Sequence, residues 1–270
     1  MRLLVLSIFF LFLSNACASR YSLTQNSDVG APTKPLIKKF RIAYIGFNTF
    51  KSTKLKNPDG TVDFEALSDP YSRTIKEPVG GSFPIPGENK PNGIRKDLAT
   101  EKVSKFAKSF LEVTGPTGIK ELEKFLEISK TGDNYIYSFK NLPYDYYIVG
   151  LHYPVFEKTR NVGLNFITIF SSLFSVATLG ILPSYEAYAA NTKVLVYDKN
   201  LNLLKELEYD NNYSVWRALW ISPNPKECGI GSLSCLGMFS PTLGTNPPMV
   251  FEASSQKISS DLSEYINTLK

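Results

Sequence analysis

Apolar and polar side chains change period several times along the chain, and each change marks an element. Residues 40–50, "FRIAYIGFNTF", are almost continuously apolar or aromatic, which predicts a strand buried on both faces. Between 95 and 114, Val103, Phe106, Ala107 and Phe110 recur at i, i+3, i+4 and i+7 with Lys and Glu elsewhere, which predicts an amphipathic helix stopped by Gly115-Pro116. Thr117 then stands where it would cap a second helix, with Ile119, Leu122, Phe125 and Leu126 as its buried stripe and Gly132 at its end. Period two takes over at 133–154: Tyr135, Tyr137 and Phe139 alternate, Asn141 to Asp145 supplies a turn, and Tyr146 to Tyr153 returns, a predicted hairpin. A second hairpin is predicted from "TKVLVYD" and "LLKELEYD" around "KNLN", one face buried and the other carrying Glu206, Glu208 and Asp210. "NNYSVWRALW" puts Val215, Trp216, Leu219 and Trp220 on one helical face, and Ile258, Leu262, Tyr265, Ile266 and Leu269 make a stripe on a final helix over 249–268. That helix should dock on the sheet.

Two long segments have no such period. Residues 18–39 carry Ser, Thr, Asn, Gly and two prolines and are expected to be a flexible tether. Residues 51–95 hold Pro58, Asp59-Gly60, Pro70, Pro78, Gly80-Gly81, Pro84, Pro86, Gly87 and Pro91, a density of breakers that forbids long helices. This long loop region is a candidate binding surface, with disorder or a lid over the core as the competing readings.

Two apolar runs stand apart from all of these. Leu3 to Leu13 is interrupted only by Ser7 and comes after Arg2; it is too short to span a bilayer and suits the apolar core of an export signal. Between Arg160 and Glu186 there is no charge, and "LNFITIFSSLFSVATLGIL", 164–182, has the length of a transmembrane helix but includes Asn165, Thr168, Ser171, Ser172, Ser175 and Thr178. Three readings compete: a helix buried in the domain, a hydrophobic element resting on a bilayer, and a span. Phe166, Ile169, Phe170, Leu173, Phe174 and Leu179 are the candidate membrane or partner contacts.

An export signal gives the adjoining cysteine a meaning. "LFLSNACASR" resembles the lipobox of bacterial lipoproteins, in a relaxed spirochaete-like form with Leu13 four residues before Cys17 and Ser14 three before it. The resemblance implies a signal peptide over 1–16, cleavage before Cys17, and acylation of that cysteine. Several acyl chains on Cys17 would anchor firmly, since each buried methylene contributes about 0.8 kcal/mol and one chain alone binds only marginally. An apolar helical segment ending "TLGILPSYEAY", a hairpin with "VYD" and "ELEYD", and a Trp-containing helix, together about 140–222, also look like a group of poorly characterised outer-membrane lipoproteins of Gram-negative bacteria and spirochaetes. That resemblance implies a lipid-anchored envelope protein and carries over no catalytic residue.

With Cys17 set aside, Cys228 and Cys235 remain, a candidate disulfide in an exported protein or two free buried thiols. One histidine and two thiols with six residues between them make no closed metal set, so no metal or cofactor is expected. A formal charge of +5 is mildly basic and does not argue for nucleic acid. Lys34, Lys38, Lys39 and Arg41 are a solvated linker or headgroup contacts.

As an enzyme the chain is poorly equipped: the carboxylates are scattered singly, and no Gly-x-Ser-x-Gly elbow, His-Glu-x-x-His helix or phosphate loop is present. His152 has no partner that the sequence names, so a packed strand histidine is preferred over a catalytic base. The expectation is therefore a single α+β domain over 40–270, an antiparallel sheet of four to six strands with helices on one side and one long apolar helical segment. Its function would be that of a non-enzymatic binding or structural component, lipid-anchored to the outer membrane through Cys17 and in contact with other envelope proteins. The alternative is a surface-exposed adhesin that binds host extracellular-matrix or plasma proteins.

Overall fold

The structure, a computed structural model, describes residues 18–23, 35–56, 62–85, 92–131, 134–153, 162–218 and 248–269. Along the chain these form β1 (Ala18–Leu23), β2 (Ile42–Gly46), β3 (Asn48–Lys56), β4 (Val62–Arg73), β5 (Gly81–Ser82), α1 (Thr100–Thr114), a 3-10 turn (Pro116–Gly118), α2 (Ile119–Leu122), β6 (Leu126–Thr131), β7 (Asn134–Phe139) and β8 (Tyr146–Tyr153). Then come α3 (Val162–Ala177), β9 (Ser184–Tyr188), β10 (Asn191–Asp198), β11 (Leu203–Asp210), β12 (Tyr213–Ala218), α4 (Pro248–Glu252) and α5 (Ser255–Thr268). The class is mixed α+β with mostly antiparallel pairing; among the described strands, β2 runs parallel to β5 and β8. The chain divides into two compact units, each built from three separate segments.

One unit comprises Ser27–Pro154, Asn191–Asp210 and Phe251–Lys270. Its five-stranded sheet has the order β11-β10-β8-β2-β5. Because side chains alternate across a strand, Ala43, Ile45, Tyr147, Val149 and Leu195 point to one face, where Phe106, Ala107 and Phe110 of α1 and Leu122 and Phe125 pack. Ile42, Tyr44, Ile148, Val194 and Val196 point to the other and meet Ile258, Leu262 and Ile266 of α5. Helices thus cover both faces rather than one, which corrects the expected single helical layer. It also explains why β2 is apolar throughout and β8 nearly so, His152 being the exception, since both faces of these strands are covered.

The run 40–50 is two strands, not one. Gly46 (φ 79°) and Phe47 (φ 59°) both adopt left-handed backbone, and the Phe47 N–H donates to Gly150 O at 2.8 Å. A Cβ on Gly46 would stand 2.3 Å from that same oxygen, so only glycine fits there. The chain leaves the sheet at this point as β3, which pairs with β4 in a long antiparallel ribbon. Much of the expected 51–95 loop is therefore paired strand.

Pairing brings two further corrections. The stripe expected to continue a helix to Gly132 ends after the single turn α2, and Leu126–Thr131 becomes β6, whose partner is β7. Leu122, Phe125 and Leu126 are still buried, so the core residues are right and the element wrong. Strands β7 and β8 do exist, but they do not form a hairpin; β8 lies between β2 and β10. The β10–β11 hairpin and α1 match expectation, and the final helix is present as α4 and α5, divided at Ala253-Ser254.

The other unit comprises Met1–Asn26, Val155–Ala190 and Asn211–Val250. Its sheet has the order β1-β12-β9, all antiparallel, and α3 packs against β9. Two expectations are overturned here. Ala18–Leu23, placed in the tether, is a strand paired along its length with β12. The Trp216 segment is the strand β12, with Tyr213 and Val215 buried and Trp216 partly exposed.

Candidate functional site

The feature of this unit that calls for a chemical account is α3, because it is built inside out. An amphipathic helix on a protein normally turns its apolar stripe to the core. In α3 Thr168 and Ser175 are buried, at 7 % and 4 % exposure, while Val162, Phe166, Ile167, Ile169, Phe170, Leu173, Phe174 and Val176 are between 51 % and 72 % exposed. The spacing of Leu164, Thr168, Ser171 and Ser175 explains the inversion: these positions fall on one stripe, and it is this mostly polar stripe that meets the sheet.

Hydrogen bonds show why polar residues serve on that side. Among the described strands β9 has β12 as its one neighbour, so its other edge turns backbone groups toward the helix. Ser171 Oγ accepts from the Tyr185 N–H of β9 at 3.0 Å, a bond an apolar side chain could not make. The Thr168 hydroxyl donates to Leu164 O at 3.0 Å and the Thr178 hydroxyl to Phe174 O at 2.8 Å, so these groups are satisfied within the helix. Thr178 Oγ1 also accepts from the Leu182 N–H at 3.0 Å and ties down the turn beyond the helix.

The helix ends sooner than the apolar run. Leu179 (φ 53°) and Gly180 (φ 83°) are left-handed, and the Gly180 N–H donates to Ser175 O at 2.7 Å, closing the last turn. With 16 residues, α3 is about 24 Å long at the usual rise per residue, and among the described residues no helix is long and apolar enough to cross a membrane. The buried-helix reading of 164–182 also fails, since the large apolar side chains face outward. Beyond the turn Leu179, Ile181 and Leu182 are exposed as well.

Strand register fixes what lies at that end. Ala18 stands opposite Ala218, and the neighbouring Arg217 stands opposite Ser184, the first residue of β9. The exposed turn 179–183 runs directly into Ser184. At the usual strand spacing, Ala18 and Ser184 are about 10 Å apart across the sheet. Ala18, the first described residue, therefore stands at the same end of the sheet as the exposed turn. One position along, Tyr185 packs edge-on against Trp216 with ring centroids 4.8 Å apart.

All six candidate contact residues (Phe166, Ile169, Phe170, Leu173, Phe174 and Leu179) are brought to this one exposed surface, with the Phe166 and Phe170 rings stacked at 6.5 Å. The polar period Thr168, Ser171, Ser175 is the signal in the sequence for which way the helix faces. Cys17, Cys228 and Cys235 lie outside the described residues. Among the described residues no group of three or more His, Cys, Asp or Glu is placed to hold a metal ion.

His152 is far from a catalytic arrangement. It is fully buried on β8, Nδ1 2.7 Å from Thr192 Oγ1 and Nε2 2.8 Å from Thr74 Oγ1, with its ring stacked on Phe251 at 4.5 Å. Burial holds its pKa down to about 3, so the ring is neutral. Glu121, also buried, accepts from Arg73 at 3.1 Å and Lys124 at 2.8 Å, and the Arg73 guanidinium lies 4.0 Å from the Phe83 ring centre. These contacts tie β4, α2 and the segment after β5 together. No family model matches the chain, and neither a curated protein nor a solved structure does.

Proposed function

We propose that this protein is a lipid-anchored envelope lipoprotein, held in the outer membrane by acyl chains on Cys17 and acting as a non-enzymatic binding or structural component at the membrane surface. One observation carries the reading: β1 begins at Ala18, directly after the candidate acylated residue, at the end of its sheet that also bears exposed Leu179, Ile181 and Leu182. An anchor at Cys17 leaves no linker before this sheet, so the apolar turn is held against the bilayer. Its partners are membrane lipid through Cys17 and other envelope proteins.

Metabolic labelling with a palmitate analogue tests this directly. Wild-type protein should carry the label and partition with membranes, and Cys17→Ser should carry none. Unlabelled wild-type protein would reduce the N-terminus to a plain secretion signal. The adhesin alternative is favoured by Tyr71 on β4, an aromatic side chain almost wholly exposed. Protease treatment of intact cells separates the two, since an adhesin is shaved from outside and an inward-facing component survives until the envelope is broken.

A further inference from the structure

We infer that the outward face of α3 is inserted in the lipid bilayer, lying along the membrane surface as a second point of attachment beside the acylated Cys17. The inference rests on the anchor proposed above and adds to it a protein surface in direct contact with acyl chains.

Four observations select lipid over a protein partner. The face is all carbon: Phe166, Ile169, Phe170, Leu173 and Phe174 point outward, and no charged residue occurs between Arg160 and Glu186. A protein interface of this extent carries a polar rim and about one hydrogen bond per 100–200 Å². Second, hydroxyls that would be costly in hydrocarbon are bonded: Thr168, turned inward, to Leu164 O, Ser171 to the Tyr185 backbone, and Thr178, at the exposed end of the helix, to Phe174 O. Third, Leu179 keeps a left-handed backbone where glycine or asparagine would be relaxed, and its side chain is exposed. Retaining leucine there gains nothing from the core and supplies apolar surface at the tip. Fourth, Ala18, which is bonded to Cys17 along the chain, stands at that same end of the sheet, so acyl chains on Cys17 and the apolar face reach one bilayer.

The helix is too short to cross, and its exposed face runs along its whole length. It therefore lies in the interface plane, as amphipathic helices of this length do.

A photo-crosslinker in the full chain tests this. Phe170→p-benzoylphenylalanine, an exposed position, is made in otherwise native protein, illuminated in isolated membranes and digested for mass spectrometry. The expected product is a phospholipid adduct on the peptide containing position 170. A crosslink to any polypeptide, a second copy of this chain included, overturns the inference, and so does recovery of the peptide unmodified when the same probe replaces Phe166 or Phe174. The same digest reads the N-terminal peptide: acylated Cys17 without adducts on α3 removes the inference and leaves the anchor. Adducts on α3 with unmodified Cys17 do the reverse.

Discussion

At the scale of single residues, His152 shows how position sets ionisation. It is the chain's one histidine, sealed between Thr74 and Thr192 and stacked on Phe251. Desolvation depresses its folded pKa to about 3, whereas the unfolded chain has the ordinary value near 6.5. Between these values the unfolded state binds a proton that the folded state does not. Stability from this group is fully present above pH 6.5 and is lost as pH falls toward 3, by about 1.4 kcal/mol per pH unit. Chemical denaturation of wild type and His152→Gln between pH 7 and 4 measures this, since the variant lacks the titrating ring. The wild type's advantage should shrink steadily below pH 6.5; parallel profiles would show that the ring is not sealed from protons. The sequence makes a packed histidine the better reading, but its partners cannot be read there, because Thr74 and Thr192 are brought to β8 only by the folding of distant segments.

At the scale of elements, α3 reverses the usual rule for helix substitutions. Phe166→Ser and Phe170→Ser remove side chains that are more than half exposed and stack mainly on each other, and each should change unfolding free energy by less than about 1 kcal/mol. Ser175→Leu puts a larger side chain into a buried site and should destabilise by about 1–3 kcal/mol. Thermal melts of the three variants in one detergent decide it: a large loss for the phenylalanine changes and none for Ser175→Leu would mean the apolar face is the packed one. Elements whose local pattern and tertiary role agree are legible: α1, the β10–β11 hairpin and the stripe of α5. Those that differ from expectation have patterns compatible with two structures. Val215, Trp216, Leu219 and Trp220 fit a helix face by their spacing, yet Tyr213, Val215 and Trp216 are aromatic and β-branched types that favour strands, and pairing with β1 and β9 decides the matter. Leu126 to Thr131 reads as the end of a helix because Phe125 and Leu126 are buried, which is equally true of a strand edge. β7 and β8 are recognisable as strands, but which strands pair is a non-local choice that no turn residue announces.

At the scale of the molecule, the chain passes between its two units more than once, and both are assembled from segments distant in sequence. The sheet holding the candidate membrane surface closes only when β1, at the very start of the described chain, meets β12, roughly 200 positions later, a high-contact-order pairing expected to form late in folding. The other sheet does not include β1, so damage to that strand should remain local. Tyr21→Pro removes a backbone N–H opposite Val215 and fixes a φ that suits strand edges poorly when pairing is continuous. In amide hydrogen exchange of the full chain, residues 213–218 should then exchange at least about tenfold faster, since a loss of about 1.4 kcal/mol in local opening corresponds to that factor. Strands β2, β8 and β10 should keep their wild-type protection, because their hydrogen bonds and both their core faces are supplied by other segments. Equal acceleration in both sheets would show that the two units open as one, and β1 would then be a keystone of the whole fold rather than of its smaller sheet alone.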